Sequence, residues 1–246
     1  MLKAPIVVGC LRVRNGIRYI ERWVADVSKL CSVLCILDDG STDGTLELLQ
    51  KLAKGSISIF LQVQKHVDGQ AGQNCRVLYE MALALGADWI FAPDADEFLD
   101  AEDVSEFSRL VNLPEGFDDI QAWTFPCFYL WNSEQTYRAD GDYGHCHAIR
   151  LFRADASLRP TARNSHTQLC SDELDRSRIH TAPIRMIHYG YMSLKDRQDK
   201  FDWYTRRDAD PMKAGAGVKN YDHIIEKNGA AVLFPYPTKA GWLLWR

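Results

Sequence analysis

Apolar positions in the first hundred residues follow two alternating patterns. Residues 5–10 (PIVVGC) form a short, continuously apolar run, as expected of a strand buried on both faces, 32–37 (SVLCIL) read as a second buried strand, and 57–63 and 89–92 (WIFA) as a third and a fourth. Between them Ile17, Ile20, Val24, Val27 and Leu30 recur at helical spacing, then Leu46, Leu49 and Leu52, then Val77, Leu78, Met81 and Leu85. Strands alternating with helices in this way predict right-handed βαβ units on a largely parallel sheet. Beyond residue 100 the rhythm weakens. Residues 120–131 (IQAWTFPCFYLW) read as an aromatic strand, 148–153 and 184–189 as further strands, and 193–207 as a helix with Ser193 at its N-cap. Residues 154–183 carry few periodic cues.

Composition narrows the class. The chain has 246 residues, of which 46% are hydrophobic, enough to build the core of one large α/β domain. No repeat, low-complexity tract or linker divides it, so one compact unit over 1–246 is the expectation. Net charge is −4 with no Lys/Arg run, which argues against a dedicated nucleic-acid binder. No apolar run approaches the roughly 20 residues that span a bilayer, and the first residues lack the n-region, h-region and cleavage site of a signal peptide. A cytoplasmic protein is the expectation. Seven cysteines, at 10, 31, 35, 75, 127, 146 and 170, are odd in number and show no CxxC pair, which points to a reducing compartment, and Cys10, Cys31 and Cys35 lie in or near apolar stretches where cysteine acts as a small buried hydrophobe. The aromatic, weakly basic tail, 234–246, is expected to pack back onto the domain, with peripheral membrane contact as its other reading.

The candidate chemistry sits where two of the predicted strands end. Ligands of open parallel sheets bind outside the carboxyl ends of the strands. Asp38 and Asp39 follow the second strand, Asp94 and Asp96 the fourth. A charge at a strand tip reaches solvent or ligand, whereas inside the strand it faces a large desolvation cost. In an extended segment Asp94 and Asp96 point the same way, and two such carboxylates are relieved by a divalent cation that also takes substrate phosphates. A helix-opening loop is the plainer reading of residues 94–97 (DADE). In residues 38–45 (DDGSTDGT) one of Ser41, Thr42 or Asp43 suffices to cap the next helix. That leaves the doubled aspartate for another role, such as accepting from a base N–H or a ribose hydroxyl. GxGxxG and GxxxxGK[ST] are absent, which argues against dinucleotide and P-loop binding.

With DDGSTDGT at 38–45, a polar segment into a helix at 70–85, and DADEF at 94–98, residues 5–100 resemble glycosyltransferase family 2, a group with the GT-A fold. A weaker likeness runs on to 208 through Arg150-Leu-Phe-Arg153, His166 and residues 187–191 (IHYGY). The resemblance implies a Rossmann-like, mostly parallel sheet flanked by helices, with a nucleotide-sugar-binding half (1–100) and a smaller, mixed acceptor-side half (101–246). It implies a metal-dependent, inverting transfer of sugar from a nucleotide-diphosphate donor, UDP-linked, to a glycan, lipid-linked or protein acceptor. In its terms Asp39 contacts the base, Leu11 and Arg12 line the nucleoside pocket with Gln73, and Asp94 with the adjoining Ala95 meets ribose and phosphates. Asp96 ligates Mn2+ or Mg2+. His188 is either a further metal ligand or a strand-end histidine stacked on Tyr189 or Tyr191.

Inverting transfer needs a carboxylate base. Relatives carry His-Glu where this chain reads His166-Thr167, and threonine cannot act as that base. Glu173 or Asp172 is the preferred replacement, with Asp140 and Asp142 as alternatives. Aromatic side chains at 123, 125, 128, 129 and 131 offer stacking surfaces for a sugar, and Arg150, Arg153 and Lys195 offer charge for phosphates. Other classes weighed against this are a sugar nucleotidyltransferase, whose GGxGTR-like loop is replaced by residues 9–15, a dehalogenase-type phosphatase using Asp94 as nucleophile, and a donor-binding homologue that has lost catalysis.

Overall fold

The computed structural model describes residues 4–55, 58–113, 119–144, 146–160, 169–207, 221–227 and 229–243. Its elements begin with β1 (Val7–Val13), α1 (Ile20–Val27), β2 (Val33–Asp39), α2 (Thr45–Ala53), β3 (Ile59–Gln64), α3 (Ala71–Ala84) and β4 (Trp89–Phe91). They continue with β5 (Glu97–Leu99), α4 (Phe107–Val111), β6 (Ala122–Trp131), β7 (Ser133–Arg138), β8 (His147–Arg153), β9 (Ile179–Thr181), β10 (Met186–His188), α5 (Leu194–Arg207), β11 (Leu233–Pro235) and α6 (Lys239–Leu243). They fall into two compact units. The first joins Met1–Phe98, Ser105–Phe125 and Ile149–Pro183; the second joins Leu99–Val104, Pro126–Ala148 and Ile184–Arg246.

In the first unit β3, β2, β1 and β4 lie side by side and parallel, and β8 closes against β4 in the antiparallel sense, with Phe91 opposite Leu151. The fold is the expected α/β type, a mostly parallel sheet flanked by helices. Strand periodicity sorts the core. Val8, Cys10, Cys35 and Leu37 face α3, where they pack against Cys75, Leu78, Tyr79 and Ala82. On the other face α1 comes so close that a Cβ on Gly9 would lie 2.8 Å from Val27 and 2.7 Å from Leu34. All seven cysteines are free; Cys10 and Cys35 are buried, as their apolar surroundings suggested, Cys31 is half-buried, and Cys75, Cys127 and Cys170 are buried too.

The second unit is built around Trp131, Tyr143, Tyr191, Tyr221 and Ile224. Within it β10 runs parallel to the end of β6, while β7 is antiparallel both to that end and to β11. A buried cation organises one side. Arg185 Nε donates to Asp103 Oδ2 at 2.7 Å, and its Nη2 donates to Glu102. The tail returns onto this unit, where Tyr236 donates to Asp100 Oδ2 (2.6 Å) and the Pro237 carbonyl accepts from Arg185. Ser193 caps α5: its Oγ accepts from the Asp196 N–H and donates to the Asp196 carboxylate. Among the described residues no helix is long and apolar enough to cross a membrane.

Three boundaries differ from the sequence expectation, and all three bear on the site. β2 runs on through Asp38 and Asp39, β1 extends to Val13, and α3 starts at Ala71, so residues 71–74 are helix rather than loop. Segments 105–125 and 149–183 fold with the N-terminal part rather than with an acceptor-side half.

Candidate functional site

Alternation along β1 and β2 carries Arg12 and Asp39 to the α3 side of the sheet, the side of Cys10 and Leu37, and Asp38 to the other. As the last residues of β2, both aspartates are buried, not solvated as expected of charges beyond a strand tip. Asp39 is 4% exposed. Its Oδ1 accepts from Gln64 Nε2 at 3.1 Å, and its Oδ2 lies 3.2 Å from His66 Nδ1 and 3.9 Å from Arg12 Nη1. The His66 contact has ion-pair distance without hydrogen-bond alignment. Asp38 does hold the local structure, because its Oδ1 accepts from the Ser41 N–H at 3.0 Å, while its Oδ2 is buried with no partner. Gln64 and His66 escaped the sequence reading, although parallel pairing of β2 with β3 puts Gln64 opposite Asp39.

The rest of the 38–45 motif is spent on a staple between two loops. Ser41 Oγ accepts from the Asn15 N–H (2.9 Å), Asp43 Oδ2 from Ile17 (3.1 Å) and Thr45 Oγ1 from Gly16 (2.9 Å), while Asn15 Oδ1 accepts from Thr42 (2.8 Å). Gly40 has φ +72°, and a Cβ there would meet the His66 backbone nitrogen at 2.6 Å, so this turn demands glycine.

The second acidic cluster is a tight turn, not an extended segment: the Glu97 N–H donates to the Asp94 carbonyl at 3.0 Å. The period-two argument for Asp94 and Asp96 therefore does not apply. Relief of charge also comes from within the chain. Arg150, on β8, donates through Nε to Glu97 Oε2 and through Nη2 to Glu97 Oε1 and Asp94 Oδ2, each at 2.6 Å. Glu97 and Arg150 are both buried, whereas the Asp94 side chain is 62% exposed. Glu97 had no assigned role in the sequence, and Arg150, read from the sequence as charge for phosphates, is a buried member of this network.

Burial pushes the Cys75 thiol up to about 11, while the Arg12 charge pulls it down and the Asp94 charge pushes it up. Cys170 is likewise raised to about 11 by burial, with Arg150 opposing and Asp172 adding. Arg12, Asp94, Arg150 and Asp172 thus act electrostatically on two thiols of a single core cluster. Ala95 approaches the β1–α1 loop, 3.7 Å from where a Gly16 Cβ would stand.

Other expected residues fall elsewhere. Leu11 is buried on the face opposite Arg12, a consequence of strand alternation. Gln73 is exposed beside Arg76, Val77 and Glu80 along a shallow groove of about 420 Å³, and it is the next residue, Asn74, that turns inward. Glu173 is exposed, its N–H donating to Ser171 Oγ. Asp140 is bidentate to Arg138 at 2.8 and 2.7 Å, a structural engagement within the second unit. His188, also in that unit, stacks on Tyr129 (4.6 Å between centroids) and accepts at Nδ1 from the Gly190 N–H, which matches the stacked reading with a different tyrosine. Phe125 and Trp131 are core residues. His166 and Thr167 lie outside the described residues.

Among the described residues no three His, Cys, Asp or Glu side chains are arranged to hold a metal by themselves. The acidic turn nonetheless fits a hard cation delivered with a diphosphate. Asp94 and Glu97 set two carboxylates against the one Arg150 guanidinium, and magnesium-like ions take one or two carboxylates plus substrate phosphates.

No family model matches the chain. Two uncharacterized proteins, one from Mycobacterium bovis and one from Mycobacterium tuberculosis, are each 24% identical over 215 residues, which is 83% of this chain and 51% of theirs. The chain therefore spans about half the length of these curated relatives. Among solved structures, 4-diphosphocytidyl-2C-methyl-D-erythritol synthase overlaps with a TM-score of 0.38 at 13% identity, covering 63% of this chain and 77% of that one. A mannose-6-phosphate isomerase from Helicobacter pylori gives 0.38 at 10% (61% and 71%), and a mannose-1-phosphate geranyltransferase from Thermus thermophilus gives 0.34 at 12% (62% and 51%). Overlaps this slight say nothing of substrate, and the chain's chemistry is read from its own side chains.

Proposed function

We propose that the chain is a glycosyltransferase that moves a sugar from a nucleotide-diphosphate donor, UDP-linked, to a hydroxyl of a glycan, lipid-linked or protein acceptor, with inversion. One observation carries this reading: Arg12 and Asp39, 3.9 Å apart, end adjacent parallel strands on the α3 side of one sheet, and the turn bearing Asp94 follows the neighbouring parallel strand β4. In that arrangement Asp39 accepts from a base N–H, and Arg12 supplies positive charge toward ribose and diphosphate. Asp94, fixed by Arg150, faces the ribose and phosphates. A bound Mn2+ or Mg2+, held by Asp96, supplies Lewis-acid stabilisation to the departing diphosphate.

The base is assigned to Asp172 or Glu173, the exposed carboxylates a few residues beyond His166-Thr167. It takes the proton of the acceptor hydroxyl as the new glycosidic C–O bond forms and the bond to the diphosphate breaks.

The test is thermal stability and UDP release with a panel of UDP-sugars and MnCl2. A donor that raises the melting temperature of the wild type, and not of Asp39→Ala, supports the proposal. Failure of every nucleotide-sugar and nucleotide to bind refutes it, and nucleoside triphosphate formed in a pyrophosphate-dependent reaction would reassign the site to nucleotidyl transfer.

A further inference from the structure

Helix α3 leads from the end of β3 back to the start of β4, and the strands β3, β2, β1 and β4 all run parallel. Its first turn therefore stands over the carboxyl ends of the strands, where ligands of such sheets bind. Gly72, Asn74, Cys75 and Leu78 turn toward the sheet, whereas Gln73 and Arg76 face solvent. Cys75 and Leu78 pack with Cys10 and Leu37, and Arg12 and Asp39 come next along the same face of β1 and β2. Helical side chains lean toward the N-terminus of their helix. Asn74, one position before Cys75, is thus aimed beneath the first turn, toward the strand tips. The charge of Arg12 is felt at the adjoining Cys75 thiol.

Asn74 is 1% exposed, and its Nδ2 has no hydrogen-bond partner among the described residues. An amide N–H buried in that state destabilises the fold, so it calls for an acceptor from outside the chain. The backbone beside it presents the same chemistry. The N–H groups of Ala71, Gly72 and Gln73 precede the first intrahelical bond, which runs from the Asn74 N–H to the Gln70 carbonyl at 2.9 Å. No side chain caps this end of the helix, and its first turn holds no acidic residue.

Resting on the nucleotide-sugar reading above, we infer that the first turn of α3, with Asn74 Nδ2 beneath it, is the cradle for the diphosphate of the bound nucleotide. Phosphoryl oxygens only accept hydrogen bonds, and the positive end of a helix attracts their charge. Asp39, itself an acceptor, suits a base N–H; Asn74 offers the opposite chemistry and suits phosphate.

The test is Asn74→Leu, which keeps the bulk of the side chain and removes the unpaired N–H. Without ligand its urea midpoint should equal or exceed that of the wild type. Affinity for UDP, read by ligand-detected nuclear magnetic resonance in MgCl2, should fall about tenfold or more, because a hydrogen bond to a charged group is lost. Affinity for uridine, which has no phosphate, should move by less than about threefold. Asn74→Ala, a smaller side chain, should repeat the two ligand results even where the cavity lowers its midpoint. A purely structural asparagine would lower the midpoint of both variants and leave the preference for UDP over uridine unmoved. Folded variants with unchanged UDP affinity, or with equal losses for UDP and uridine, overturn the inference while leaving the nucleotide-sugar reading intact. A wild type that binds neither UDP nor any nucleotide-sugar removes that reading itself.

Discussion

Asp39→Asn isolates the charge of the residue on which donor binding is argued to turn. The substitution keeps the shape of a side chain that is 4% exposed and preserves an oxygen for Gln64. It removes the attraction to Arg12, 3.9 Å away. At an effective dielectric of about 20 that attraction is on the order of 4 kcal/mol before screening. Because Arg12 is 35% exposed, the discounted value is about 1 kcal/mol or less, and it is offset by the desolvation the carboxylate no longer suffers. Stability should therefore change by less than about 1 kcal/mol. Nucleotide binding should change more. A hydrogen bond from a base N–H to a carboxylate is worth about 1.5–3 kcal/mol, a Kd ratio of about 10 to 150. Isothermal titration of UDP in MnCl2, paired with a urea melt of each protein, separates the two effects. A folded Asp39→Asn protein with a UDP Kd within about threefold of wild type would refute the role given to Asp39.

Three further outcomes follow from other parts of the molecule. Gly40→Ala should cost about 1–3 kcal/mol in chemical denaturation, since it combines a positive φ with a clash on the His66 backbone; an unchanged midpoint would mean that this turn is not needed in its observed form. Burial pushes the Asp103 carboxyl up, but hydrogen bonds and charge from Arg185 outweigh it and leave it below its ordinary value. Its contribution is therefore full above the unfolded value of about 4 and is lost as pH falls through the lower folded value. Asp103→Asn should lose about 3–5 kcal/mol at neutral pH, and the gap to wild type should narrow on acidification, as read by urea unfolding across pH. Either Asp172→Asn or Glu173→Gln should lower kcat by at least about 100-fold with donor Kd unchanged; full turnover in both would transfer the base role elsewhere.

Much of the first unit was legible because burial leaves a period in the sequence. Continuous apolar runs marked β1, β2 and β4, and helical spacing marked the elements between them. What the pattern could not show is where an apolar run stops being a strand. Asp38 and Asp39 look like the start of a loop, yet remain in register with β3, and so end up buried. The Glu97–Arg150 pair left no local trace, because its members are 53 residues apart and meet only through antiparallel pairing of β4 with β8. β7, with its polar run Ser133–Arg138, lacks the apolar alternation that marks a strand. The two-unit organisation was hidden for a related reason: segments 105–125 and 149–183 rejoin the N-terminal unit after excursions that composition does not mark.

The hydrogen bonds joining residues 15–17 to residues 41–45 have a consequence for anyone scanning this protein by mutation. Alanine at Ser41, Asp43 or Thr45 would release the β1–α1 loop at a distance, so a resulting loss of nucleotide affinity would masquerade as lost ligand contact. Because the donors are the backbone N–H groups of residues 15–17, comparing each variant's ligand-free stability with its nucleotide affinity tells indirect wiring from direct touch.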